Sequence, residues 1–263
     1  MKRHRPALAA FLACLALAPG LRIQAETMPT LSYLAQDAID LLAILPPAPR
    51  SGDARYEADR AIFRATRVLA DTPRWQWAKN DVSEAPADML RNYACAAGIE
   101  LTPALVPVTT RLLVTAAQDT ARPNNIAKRH FQRLRPFLID QGPICQPAPE
   151  VTNSFDYPSG HTTLGWTWAM LLAELLPDRA TAILARGRAY GESRVVCGVH
   201  NASAVEAGRL SATLSLTRMR TSPAFQEDVA AARAELAALR NSPAPAAERC
   251  RAEAEALSVS PLQ

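Results

Sequence analysis

Glycine is scarce in this 263-residue chain, ten in all, and no stretch alternates apolar and polar residues as a half-buried strand does. That argues against a β framework, and the abundant alanine points to helix nearly throughout. Cysteines never occur as a Cys-x-x-Cys pair, which argues against a zinc site built on thiolates. The first apolar run, residues 7–18, is too short to span a bilayer, which takes about 20 residues. Lysine is rarer still: beyond the first 25 residues only Lys79 and Lys128 occur, in a chain otherwise basic through arginine.

A charge excess is missing too, once the start of the chain is set aside. Residues 1–25 read as a secretory signal, with a basic beginning, the apolar run, and Ile23-Gln24-Ala25 suited to cleavage before Glu26. Lys2, Arg3, Arg5 and Arg22 carry the whole formal excess of +4, so residues 26–263 are formally neutral. Nothing in that balance suggests nucleic-acid or anionic-membrane binding, and no stable membrane insertion is expected. Residues 26–263 are long enough for one domain with its own core. Four cysteines remain, Cys95, Cys145, Cys197 and Cys250, an even number that in an exported chain favours disulfides. Of three connectivities, Cys95–Cys145 with Cys197–Cys250 is expected, tying the early helices together and holding the C-terminal tail near the site.

The apolar periodicity predicts helices near 53–70, 73–79, 84–97, 103–120, 123–134, 178–191 and 199–219. Another opens at Ser222-Pro223 and runs to about Leu239. A Pro/Ala linker near 241–247 precedes a short last helix around Cys250. Thr72-Pro73 and Thr102-Pro103 have the arrangement of a helix N-cap followed by proline at the first position. Residues 29–45 lead into Pro46-Pro47-Ala48-Pro49, an extended stretch expected to wrap the domain. Leu164, Trp168, Leu171, Leu172 and Leu175 form one apolar stripe, which marks a core helix.

Three segments carry chemistry. Lys128 stands seven residues before Arg135-Pro136, two helical turns, so both cations can face one pocket. Pro158-Ser159-Gly160-His161 precedes the core helix, where unpaired N–H groups and the positive end of the dipole favour an anion. Ser193-Arg194 ends one helix, and His200 begins the next. Arginine matches phosphate oxygens in pairs, lysine acts as a point charge, and two histidines can divide nucleophilic and acid roles. Alone, each segment is weak; together, in this order, they specify a phosphoryl-transfer site. Trp75, Trp77, Trp166 and Trp168 are read as core, Arg129, Arg133, Arg186 and Arg188 as solvated or ion-paired helix faces, and His130 as surface.

This pattern resembles the type 2 phosphatidic acid phosphatase superfamily, and within it the bacterial class A nonspecific acid phosphatases. The resemblance implies an all-α, single-domain helical bundle that hydrolyses phosphomonoesters through a phosphohistidine without metal or other cofactor. By carry-over, His200 is the nucleophile and His161 the general acid, while Lys128, Arg135, Ser159, Gly160 and Arg194 hold the phosphate. The family places an aspartate four residues after the nucleophile to orient its ring, where this chain has Ala204. Glu206 points about 120° away on a helix, leaving Ser203 or a backbone carbonyl as the acceptor within reach.

Three functions follow from such a cage. The leading one is a periplasmic acid phosphatase acting on small phosphomonoesters such as nucleotides or sugar phosphates. A vanadate-dependent haloperoxidase would use the same residues for vanadate. A phosphoester-binding protein that lost turnover with its aspartate is the non-enzymatic alternative. The sequence leaves a homo-oligomer open.

Overall fold

The protein is described as a computed structural model over residues 32–239 and 242–262. The expected signal segment, residues 1–25, lies outside the described residues, as does Asn241 at the head of the expected linker. The described residues form ten α-helices and no strand. In order they are α1 Ala54–Thr66, α2 Pro73–Asn80, α3 Pro86–Ala97, α4 Pro107–Phe131, α5 Ala148–Val151, α6 Gly160–Leu175, α7 Ala180–Val196, α8 Ala202–Met219, α9 Pro223–Ala238 and α10 Ala247–Leu257.

α6 is the central element, packed on α4, α7 and α8. Trp168, Leu171, Leu172 and Leu175 are buried in the main core, and Leu164 packs at its edge. Ser159 caps this helix, its Oγ accepting the Thr162 N–H. α8 approaches the start of α6 so closely that a Cβ on Gly208 would lie 2.6 Å from the Ser159 carbonyl oxygen. Only glycine fits there, and the Ser159 N–H in turn donates to the carbonyl of Ala204.

Two expected helices, 103–120 and 123–134, are one. α4 runs unbroken through Pro123, and Thr102-Pro103 lies in a turn that precedes it. Proline removes one backbone donor, but α4 is held along its length by α6, α8 and α9, and packing outweighs that local cost. The described part of the expected wrapping stretch, residues 32–49, packs on α4 and α8. Asp119 of α4 receives Ser32 Oγ and the Tyr33 N–H, and Leu41, Leu45 and Ala48 pack against Ala127, Tyr157 and Ala204.

The disulfides pair Cys95 with Cys250 and Cys145 with Cys197, which corrects the expected connectivity. Cys95–Cys250 clamps the C-terminal α10 to α3. Cys145–Cys197 staples the loop after Arg135 to the end of α7, three residues before His200. Sequence spacing carries no information about which ends meet in space. Beyond Cys197, Gly198 adopts φ +77°, the left-handed turn that lets the chain leave α7 and present His200.

Candidate active site

The three segments converge on one cavity of about 760 Å³, whose wall includes Lys128, Arg135, Gly160, His161 and Arg194. Lys128 reaches it from the last turn of α4, which ends at Phe131. The expected two-turn helical link to Arg135 is broken by the left-handed Gln132, and Arg135 comes to the same wall from the loop beyond. The Lys128 Nζ stands 3.8 Å from where a Cβ on Gly160 would be, which places the lysine beside the start of α6. Burial, with Arg135 nearby, lowers the Lys128 pKa to about 8. Arg194 is buried at the end of α7; its Nη2 donates to Gln146 Oε1 at 2.7 Å, while Nε and Nη1 are buried without a hydrogen-bond partner. Such donors are costly unless a ligand meets them. Ser159 is fully buried and off the cavity wall. Its oxygen accepts from the Thr162 N–H and hydroxyl, serving as the cap of α6.

His200 lies just behind Arg135. Arg135 Nη1 donates both to the Val199 carbonyl at 2.7 Å and toward His200 Nε2 at 3.0 Å, and its Nε donates to the Ser154 carbonyl. A guanidinium can only donate, so Nε2 is the unprotonated nitrogen of His200. The other nitrogen, Nδ1, donates to Asp156 Oδ1 at 2.9 Å. Burial, followed by the charges of Arg135, Lys128 and Arg194, holds the His200 pKa well below its ordinary value. The ring is therefore neutral, with its lone pair turned toward Arg135.

Asp156 is the residue that sequence reasoning missed. It is completely buried, and besides His200 it accepts from the Asn201 N–H at 3.1 Å and Asn201 Nδ2 at 2.8 Å. Arg133 Nη1 stands 3.5 Å from its other oxygen. Burial raises its pKa against the opposing pull of Arg133 and Asn201. A carboxyl group surrounded only by donors is the ionised, acceptor form. The available signal was a lone aspartate two residues before Pro158, but 44 residues separate it from His200 and no helical register links them.

Ser203 does not orient His200. Its N–H and hydroxyl donate to Asp59 of α1, and Arg133 Nη1 donates to its oxygen, so it ties α8 to α1. Arg133, read as a helix-face residue, is a buried bridge between Asp59 and Asp156. Ala204 is fully buried and faces the apolar cluster of Leu41, Leu45 and Tyr157. Glu206 pairs with Arg55 at the surface.

His161 is held differently. Its Nε2 faces the Asp81 carbonyl oxygen at 2.6 Å, its Nδ1 faces Glu84 Oε1 at 2.6 Å, and its ring stacks on Tyr190. Both partners accept, so both nitrogens carry hydrogen in this arrangement: the ring is an imidazolium. Asp81 is fixed beneath by Arg186 and the Ser193 hydroxyl, and Arg186 is paired again with Glu253 of α10. Cys95–Cys250 anchors the helix that supplies Glu253, which ties that disulfide to the network behind His161.

Residues 105–226 match the PAP2 superfamily. The chain is 38% identical over 205 residues to an acid phosphatase of Zymomonas mobilis subsp. mobilis, covering 77% of this chain and 78% of the relative. It is 34% identical over 218 residues to a non-specific acid phosphatase of Providencia stuartii, covering 81% and 88% of the two chains. A non-specific acid phosphatase of Salmonella typhimurium is 32% identical over 206 residues, covering 76% and 82%.

Proposed function

The chain belongs to the PAP2 superfamily, and from that premise we propose that it is an acid phosphatase that hydrolyses phosphomonoesters through a phosphohistidine on His200. The observation that carries this reading is the pair of buried, unpartnered donors on Arg194, which share a cavity wall with Lys128 and Arg135. A phosphoryl dianion meets those donors and lies against the start of α6. When its oxygens take up Arg135 Nη1, His200 Nε2 is released for in-line attack. The Nε2–P bond forms as the ester P–O bond breaks, and the departing oxygen takes a proton from His161. The three cations stabilise charge on the equatorial oxygens, the main demand of this chemistry.

Asp156 is the positioning residue for the nucleophile. Its hydrogen bond fixes the Nδ1–H tautomer and stabilises the positive charge that His200 gains on phosphorylation. In the second half of the reaction His161, now neutral, activates water, which splits the phosphohistidine and returns the proton to the ring. No metal or cofactor is assigned a part.

Export to the periplasm is part of the proposal. It is supported by the composition of residues 1–25 and by the pairing of all four remaining cysteines in disulfides, which persist in oxidising compartments. Among the described residues, no helix is long and apolar enough to cross a membrane.

The test is chemical trapping. Brief exposure to a labelled phosphomonoester, then a denaturing alkaline quench, should leave acid-labile phosphate on His200. Label that survives acid, or that maps to another residue, contradicts the mechanism. Absence of turnover on a broad panel of phosphomonoesters contradicts the function itself.

A further inference from the structure

The imidazolium of His161 has two N–H groups, and only one can serve a substrate. Nε2–H points at the Asp81 carbonyl, within a buried network that also holds Arg186, Ser193 and Glu253. Nδ1–H points at Glu84, whose side chain is 55% exposed against 9% for the His161 ring. Glu84 lies in the short segment between α2 and α3, on the wall of the same cavity as Lys128 and Arg194. The hydrogen that the leaving group needs is thus occupied by a carboxylate free to swing toward solvent.

We propose that Glu84 selects substrates by the charge of their leaving group: it occupies the place of the departing ester oxygen on His161 Nδ1, gives way to that oxygen, and from beside it favours phosphate esters of amino alcohols over those of hydroxy acids. The inference rests on the acid and nucleophile roles above and adds a substrate class to them. A carboxylate displaced by one ester oxygen stays within a few ångströms of the next atoms of the leaving group. At that range a unit charge on the substrate is strongly felt, because the wall excludes part of the solvent.

The surrounding charges keep Glu84 ionised in acid. Burial pushes its pKa up, but His161, Arg194 and Lys128 more than reverse this and hold it below the ordinary carboxylate value. The His161 ring faces Arg194 and Tyr190 from α7 and Asp81 and Glu84 from the segment before α3, and its charge is felt by His200 behind Arg135. Burial and Arg194 lower its pKa, while Glu84 and the Asp81 carbonyl oppose them. Glu150 also lines the cavity, and adds a second negative charge on the solvent side.

The test compares three esters of nearly equal size: 2-aminoethyl phosphate, propyl phosphate and phosphoglycolate. kcat/KM is measured for each with the wild type, Glu84→Gln and Glu84→Asp in the acidic range. Relative to propyl phosphate, Glu84→Gln should lose about tenfold on the amino ester and gain about tenfold on the carboxylate, as expected for one charge at this distance. Glu84→Asp, which keeps the charge, should retain most of the wild-type preference. On propyl phosphate, the alkaline limb of the Glu84→Gln profile should move to lower pH, because His161 loses the partner that favours its protonated form. An unchanged amino-to-carboxylate ratio in Glu84→Gln, with the wild type turning over, overturns the proposal alone. So does an equal collapse in the Asp and Gln variants. A wild type that turns over none of the three esters overturns the catalytic reading beneath it as well.

Discussion

His200 and His161 each have a carboxylate at Nδ1, yet the two pairings leave their rings in opposite states. Asp156 is fully buried among donors, and the second nitrogen of His200 faces an obligate donor, Arg135. That combination requires one proton on the ring and leaves a lone pair at Nε2. Glu84 is half exposed, and the second nitrogen of His161 faces an obligate acceptor, the Asp81 carbonyl. That combination requires two protons. The identity of the neighbour opposite the carboxylate, donor or acceptor, leaves one ring with a lone pair and the other with two protons, the states that the proposed nucleophile and acid require. The pKa directions agree in rank, since His200 is pushed further below the ordinary histidine value than His161, which keeps Glu84 and the Asp81 carbonyl on the side of its charged form.

The contrast breaks most visibly on the His200 side. Asp156→Asn should lower kcat by about 10³–10⁴, the scale seen when a triad carboxylate is neutralised and the tautomer is lost. Quenched-flow measurement of His200 phosphorylation locates the loss in the first step; a rate within tenfold of wild type would mean that Asp156 does not set the tautomer. On the other side, His161→Ala should cost about 10²–10⁴ on alkyl phosphates, the range of general acid catalysis. Aryl phosphates, whose oxygen departs unaided, should still label His200 at close to the wild-type rate. Equal losses on both substrate types would erase the distinction between the rings.

The lysine on the cavity wall sharpens the comparison by pH. Lys128 is charged below its pKa of about 8 and neutral above it, because burial and then Arg135 disfavour the charged form. Competitive inhibition by inorganic phosphate should therefore weaken as pH rises through 8, by up to about tenfold per unit for a site that needs the charged lysine. Lys128→Met should bind phosphate weakly throughout and show little of that dependence. The smallest effect on rate is expected at position 204. Ala204→Asp supplies the carboxylate that the family resemblance implies at this position, but Nδ1 of His200 is already engaged and the side chain faces Leu41, Leu45 and Tyr157. kcat should not rise, and stability should fall by about 3 kcal/mol for a buried, unpaired charge, visible in the denaturant midpoint. A gain in kcat would mean that the loop aspartate is an incomplete substitute.

Much of this protein is legible in one dimension because helices make it so. The stripe from Leu164 to Leu175 gives the central helix, and Ser159-Gly160 marks its start. Each of these is a statement about residues within a few turns of one another, where register alone fixes direction. The join across Pro123 was not legible, since local propensity argues for a break there and only packing on three other helices overrides it. Arg133 and Arg186 look like ordinary surface arginines for the same reason: nothing near them in sequence shows that Asp59, Asp81, Asp156 and Glu253 come to meet them.

The sequence by itself determined the chemistry available to this protein: two histidines, three cations suited to a phosphate and a helix start, all carried by short motifs. Tertiary structure decided which nitrogen does what. Asp156 reaches His200 across 44 residues, Asp81 and Glu84 reach His161 across nearly twice that span, and the disulfides pair by proximity of folded ends. Protonation states depend on hydrogen-bond partners a few ångströms away and on burial, and neither exists until the helices have packed.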